Sequence, residues 1–148
     1  MATMLLEIVT AERKVYSDNV NVVVAPGIDG ELAILPNHAS LLTVLKPGEI
    51  RVKKGADEEY MAVTGGFMEV MNNKVTIMAD AAEHADEINL ERAEEAVRRA
   101  QERIAAHESD EDLERAMAAL QRSRARVSTA RRRTARRRPE GAGSQPQS

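Results

Sequence analysis

The sequence predicts two unlike halves, an all-β sandwich or barrel followed by an antiparallel helical hairpin, on three observations. Turn-forming pairs crowd the chain as far as Ala82: Pro26-Gly27, Asp29-Gly30, Pro36-Asn37, Pro47-Gly48, Gly65-Gly66 and Asn72-Asn73, with Gly55 alone. They leave only short segments, which alternate apolar with polar residues in the period of a half-buried strand. After Ala82 glycine is absent until Gly141, and the apolar period lengthens to that of a helix.

The elements follow in order. Val20, Val22 and Val24 are expected to share one side of a strand; Ile50 and Val52 alternate with Glu49, Arg51 and Lys53; Val75 and Ile77 alternate with Lys74 and Thr76, with Met78 ambiguous. Asn72-Asn73 separates two such runs, and asparagine tolerates the positive φ of a two-residue turn, which predicts a β-hairpin. Leu90, Ala93, Val97, Ala100 and Ile104 keep a 3-4-3-4 spacing, one stripe of a helix. Leu113, Met117, Leu120 and Val127 predict a second stripe, interrupted by Arg124. Ser109 before Asp110, Glu111 and Asp112 supplies its N-cap and acidic first turn. A reversal near residues 107–109 folds the helices back on each other. The expected division is a β domain over residues 1–84, a two-helix domain over 85–138 and a disordered Pro-, Gly-, Ser- and Gln-rich tail over 139–148.

The hairpin is rich in alanine, with some half-dozen larger apolar side chains on its stripes. Each of these contributes about 1.5–3 kcal/mol when fully buried, whereas fixing the backbone costs about 1–2 kcal/mol per residue. The hairpin is therefore expected to need docking, on its β domain or on a partner, and an element with two docks can serve as a switch.

Composition narrows the chemistry. The absence of cysteine among the 148 residues excludes disulfides, thiolate metal sites and cysteine nucleophiles. No window approaches the roughly 18 consecutive apolar residues of a spanning helix, and no basic segment leads into a long apolar run at the N-terminus. A cytoplasmic chain is expected. The formal charge of −3 hides an asymmetry: residues 1–86 carry seven basic and thirteen acidic residues, whereas residues 115–138 carry ten arginines and no acid. Such a block is either a solvated tail or a surface for an acidic partner.

The run Gly30-Glu31-Leu32-Ala33-Ile34-Leu35-Pro36-Asn37-His38, continued by Leu41-Leu42-Thr43 and Leu45-Lys46-Pro47-Gly48, resembles the signature of the epsilon subunits of bacterial F-type ATP synthases, named delta in mitochondria. Thr64-Gly65-Gly66-Phe67-Met68-Glu69-Val70 and Val75-Thr76-Ile77 match the same family, and the resemblance covers about residues 3–130. It implies a ten-stranded β-sandwich ahead of a two-helix domain. It also implies a non-catalytic rotor subunit, peripheral on the cytoplasmic face of the cell membrane, with catalysis left to the alpha and beta subunits. The gamma subunit and the ring of c subunits would meet the sandwich at Glu31, Leu35, Pro36, His38, Leu41 and Leu42. From the residues alone the same features serve as turn and core chemistry. Gly27 and Gly30 permit a reversal, Pro36 ends a strand, and Leu41, Leu42 and Leu45 supply apolar area.

Some members of the family bind ATP in the folded hairpin through Ile/Leu-Asp-x-x-Arg-Ala. Ile88, Arg92 and Ala93 match, while Asn89 stands where the motif has aspartate; Glu83, Arg99, Arg122 and Arg126 fall at the other contributing positions. The resemblance thus implies ATP as a regulatory ligand, with no cofactor required. An amide at residue 89 donates as well as accepts, which reshapes such a site. In related subunits the helices also extend along gamma and engage an acidic segment of beta, arresting hydrolysis. Arg122, Arg124, Arg126, Arg131, Arg132 and Arg133 would make that contact, since the guanidinium fork suits carboxylates.

Other chemistry finds little support. His38 with Asp29 and Ser40 has no spacing specific to a nucleophile and its base, and nucleophile-elbow, zinc-protease and phosphate-loop motifs are missing. His38, His84 and His107 lack metal-ligand spacing. Nucleic-acid binding is the alternative that the arginine block raises. The aromatic residues Tyr16, Tyr60 and Phe67 all lie far from it in sequence, so it lacks stacking platforms and no nucleic-acid partner is expected.

Overall fold

A computed structural model describes residues 2–137, with side chains as far as Arg132. The expected tail and Arg138 lie outside the described residues. The short alternating segments form ten strands: β1 (Met4–Val9), β2 (Lys14–Val20), β3 (Val22–Gly27), β4 (Gly30–Ile34), β5 (Leu41–Leu45), β6 (Gly48–Lys54), β7 (Asp57–Val63), β8 (Gly66–Met71), β9 (Lys74–Ala79) and β10 (Ala82–His84). A 3-10 turn, Ala85–Glu87, leads to α1 (Leu90–Ala105) and α2 (Asp110–Arg137).

The strands run in the order β10-β7-β6-β3-β5-β8-β9-β1-β2, with β4 paired to the other side of β3. β3 passes to β5 through the single pair Gly27↔Leu45, so the path folds into two layers, β10-β7-β6-β3 and β5-β8-β9-β1-β2. β1 lies parallel to β9, with Leu6 opposite Val75 and Ile8 opposite Ile77. One core fills the sandwich: Ile50, Val52, Met61 and Val63 from the first layer meet Leu6, Ile8, Met68, Val70, Val75 and Ile77 from the second. Across the far seam the Asn21 N–H donates to the Lys53 carbonyl at 2.8 Å. Lys54 pairs with Asp18 there and holds that carboxyl below its ordinary pKa.

Asn72 and Asn73 sit at φ 51° and 59°, so the β8–β9 hairpin closes by the turn their sequence predicts. Asn73 also pins two neighbours. Its Oδ1 accepts from the Asn37 N–H and its Nδ2 donates to the Thr3 carbonyl, both at 2.9 Å. Gly66 begins β8 at φ 142°, and a Cβ there would stand 2.1 Å from the Met78 carbonyl oxygen, so only glycine fits.

Two periodicities are corrected. Val20, Val22 and Val24 do not share the core face; Val20, Val23 and Ala25 do, while Val22 and Val24 are half-buried. The inward face shifts at Asn21, between β2 and β3, whose amide donates to the Ala2 carbonyl and accepts from the Gly55 N–H. On α2 the stripe runs one residue off the expected line. Ala116, Ser123, Val127 and Ala130 are buried, Leu113 and Leu120 are half-buried, and Met117 is 49% exposed. Ser123 takes the inward place, so Arg124 interrupts nothing; the Ser123 hydroxyl is satisfied by the Ala119 carbonyl at 2.8 Å.

The Ser109 cap forms as the sequence predicts, and a second cap at Asn89 is added by the structure. Ser109 Oγ accepts from the Asp112 N–H at 3.2 Å, and Asn89 Oδ1 caps α1 through the Arg92 N–H at 3.1 Å. The hairpin docks on the outer face of the first layer, where a second cluster joins Ala62 of β7 to Ile88, Ala93, Val127 and Ala130, with Leu90 and Val97 at its edge. Because the sandwich core draws on residues from Met4 to Ala82 and none from the helices, residues 1–84 alone are expected to melt cooperatively. Calorimetry of that fragment checks this; a gradual, non-cooperative melt would show that the sandwich needs the hairpin.

Candidate functional site

Opposite faces of the sandwich carry different chemistry. On the outer face of the second layer, β5 turns Leu42 and Val44 outward, and the register sets Val44 against Phe67 and Phe67 against Met78. These side chains form an apolar row across three strands, with Leu42 67% and Phe67 50% exposed. At the end of the row the Ile28 N–H donates to the Val44 carbonyl at 3.0 Å, and Ile28 is exposed as well. A row of exposed large apolar residues on a small domain marks a surface made for contact.

Six residues were expected at an interface. Leu35 and Leu42 are exposed, His38 lies on an exposed turn whose N–H returns to the Leu35 carbonyl at 3.2 Å, and Pro36 is half-buried in that turn. Asn73 holds the turn through Asn37, which has φ 66°. Glu31 is exposed at the start of β4 and pairs with Arg51 at 2.5 Å. Leu41 packs against the core, as does Leu45, so of the three leucines Leu42 alone is free to touch a partner. Ile28, Val44, Phe67 and Met78 were not anticipated as surface. Alternation with Glu69 and with Lys74 and Thr76 already points Phe67 and Met78 outward; strand pairing adds that they stand in one row with Val44.

On the other face, polar contacts surround the alanine-rich dock. Glu49, 15% exposed at its side chain, accepts from Thr129 Oγ1 at 3.3 Å and forms an ion pair with Arg132, Nε 3.4 Å away. The Arg132 guanidinium also lies 5.4 Å over the Tyr60 ring. The Tyr60 hydroxyl donates to Glu58, which raises its pKa; burial adds to this and Arg132 opposes it. Arg126 Nε donates to Glu83 of β10 at 3.2 Å, and Arg131 pairs with Glu94 of α1 at 3.5 Å.

Of the residues expected at a nucleotide, Glu83 and Arg126 are thus brought together. Ile88 and Ala93 are buried in the helical cluster, and Asn89 is the N-cap joined to the backbone of Arg92. Arg99 lines a cleft of about 380 Å³ with Ala96, Ala100, Arg103, Ala119 and Ser123. The side chains of Arg92 and Arg122 are exposed. Of the arginines expected to contact an acidic partner, Arg126, Arg131 and Arg132 are engaged by the chain's own carboxylates and Arg122 and Arg124 are exposed. The side chain of Arg133 lies outside the described residues. Among the described residues no helix is long and apolar enough to cross a membrane.

Comparison with known proteins places this architecture. Residues 3–85 match the family profile described as ATP synthase, Delta/Epsilon chain, beta-sandwich domain, and residues 86–131 match the long alpha-helix domain of the same chain. The chain is 53% identical over 105 residues to the ATP synthase epsilon chain of Dehalococcoides mccartyi, covering 71% of this chain and 75% of that one. It is 55% identical over 103 residues to that of Pelotomaculum thermopropionicum, covering 70% and 77%. In fold it is similar to a chain of the Euglena gracilis mitochondrial ATP synthase, with a TM-score of 0.77 at 20% identity over 88% of this chain and 82% of that one. A chain of the central stalk and c-ring structure of the Tetrahymena thermophila enzyme gives 0.61 at 17% identity, over 87% and 97%. Profiles spanning both halves, relatives above half identity and the same two-part fold agree: the chain belongs to the ATP synthase delta/epsilon chain family.

Proposed function

We propose that the chain is a non-catalytic central-stalk subunit of a proton-translocating ATP synthase. It joins gamma to the c ring, peripheral on the cytoplasmic face of the membrane, and its hairpin is a releasable brake on ATP hydrolysis by the alpha and beta subunits. One observation carries this reading: the apolar row lies opposite the hairpin, so the sandwich can stay seated on its partner while the helices leave. Ile28, Leu42, Val44, Phe67 and Met78 offer the area for gamma. Glu31, Leu35, Pro36 and His38, on β4 and the turn after it, face the c ring. The division into a sandwich over residues 1–84 and a regulatory pair over 85–138 follows from the same reading.

The double substitution Val44→Ser/Phe67→Ser tests the seat. Both side chains are exposed, so the melting temperature is expected to hold while affinity for gamma falls at least about tenfold, as when aromatic anchors of an interface are removed. Unchanged affinity in a binding titration would remove this face from the interface.

The brake makes an opposed pair of expectations. Deleting residues 109–148 removes the arginines and is expected to raise ATPase activity of the soluble catalytic complex at low salt without harming assembly. Glu49→Ala loosens the dock but keeps every arginine, so it is expected to lower that activity, because the freed Arg132 and its neighbours can reach acidic partners. Equal activity in parent and both variants would rule out a braking role.

ATP as a regulatory ligand rests on Glu83, Ile88, Asn89, Arg92, Ala93, Arg99, Arg122 and Arg126. A triphosphate would compete with Glu83 for Arg126 and draw in Arg92 and Arg122. Asn89 already provides the cap an aspartate would give α1. Millimolar ATP is expected to raise the melting temperature by linkage and Arg126→Ala to abolish the rise. A melt unmoved by ATP would leave the hairpin purely mechanical.

A further inference from the structure

We propose that the docked hairpin and the β5–β6 turn together form a site for clustered phosphate groups, centred on Arg124 and Ser128. Two open clefts adjoin at these residues. One, of about 560 Å³, is lined by Val97, Arg124, Val127, Ser128, Arg131 and Arg132. The other, of about 370 Å³, brings Lys46 and Glu49 beside Arg124 and Ser128. Arg124, Ser128 and Arg131 stand at i, i+4 and i+7, one face of α2. Arg122 and Arg126 each lie two positions from that line, about 200° around the helix, so this surface is distinct from the nucleotide positions.

The donor set selects the ligand. Arg124, Arg131, Arg132 and Lys46 donate only, and the Ser128 hydroxyl adds a fifth donor, so a ligand rich in acceptor oxygens fits. The carboxylates facing these cations are Glu94, 3.5 Å from Arg131, and Glu49, 3.4 Å from Arg132; against four cations they leave the surface positive. Arg124 and Arg131 are separated by about 10 Å of helix, too far for one phosphate to engage both fully, which favours several phosphates held close together. The apolar floor of Val97 and Val127 keeps part of the field from being screened by water.

Lys46 belongs to the sandwich and the arginines to α2, so the site is complete only while the hairpin is docked. A ligand bound there therefore stabilises the docked form by linkage. The chemistry is shared by soluble polyphosphate and by anionic lipid headgroups.

The full chain is titrated at low salt with sodium tripolyphosphate by calorimetry, and separately with phosphatidylcholine vesicles containing phosphatidylglycerol by co-sedimentation. Lys46→Gln, Arg124→Gln and Arg131→Gln are each expected to weaken binding about two- to five-fold. Arg115→Gln, which removes the same charge from α2 outside both clefts, is expected to leave it near the parent value. Each variant is first confirmed to melt like the parent. Binding with this pattern supports the site, and its appearance with tripolyphosphate or with vesicles assigns the phosphates to a soluble or a lipid source. No binding of either probe would overturn the proposal. So would equal losses for Arg115→Gln and Arg124→Gln, an effect of Lys46→Gln no larger than that of Arg115→Gln, or loss in Arg92→Gln with none in Arg124→Gln.

Discussion

Alanine governs how the two halves meet. Ala62 on β7, Ala93 on α1 and Ala130 on α2 share one cluster and bring the helices close to the sheet, but their side chains remove little apolar surface from water. Ile88 and Val127 are the larger buried members. Such a dock is tight in geometry and modest in free energy, so its orientation falls to the polar contacts around it: Glu49 with Thr129 and Arg132, and Glu83 with Arg126. Glu49 is the strongest of these points, since its partly buried carboxylate engages two groups of α2 at once, accepting from the Thr129 hydroxyl and pairing with Arg132. The Glu83–Arg126 pair is about one-third exposed and correspondingly weaker. By contrast the sandwich rests on an apolar core of mostly β-branched, leucine and methionine side chains that owes nothing to the helices.

That division explains what was legible in the sequence. Turn chemistry is local, so the asparagine hairpin and the cap at Ser109 follow from single residues and their neighbours. The run of valines misled because Asn21 offsets the inward face between two strands, a shift held by hydrogen bonds to distant backbone at Ala2, Lys53 and Gly55. The α2 stripe misled for another reason. Large apolar residues attract notice, yet the close approach of the helices requires small ones, so Ser123 and Ala116 face inward while Met117 points to solvent. Phe67 and Met78 fall on the polar side of their strands, with Glu69 and Thr76, where a large apolar side chain is ambiguous; pairing with β5 shows that they line up beside Val44.

The arginines gain a second meaning from the fold. Read along the chain they form one basic block, but in the docked hairpin they divide by face. Arg126 and Arg132 hold the helices to the sheet, Arg131 braces the two helices together, and Arg124 stays exposed. The same guanidinium groups that latch the hairpin would be freed when it leaves, so docking and capture of an acidic partner compete for them. The unbroken run of positive charge from Arg115 onward on α2 thus suits a two-position element, provided the dock is weak enough to yield.

The absence of cysteine allows that weakness to be measured directly. Paramagnetic labels at Met117→Cys on α2 and Lys53→Cys on β6 report the separation of hairpin and sheet by pulsed electron resonance. In the free chain a single short distance is expected. In the assembled catalytic complex at low ATP a second, longer population is expected, growing when Glu49 is replaced by alanine. One unchanged short distance in every case would contradict a releasable hairpin and leave it a fixed part of the fold.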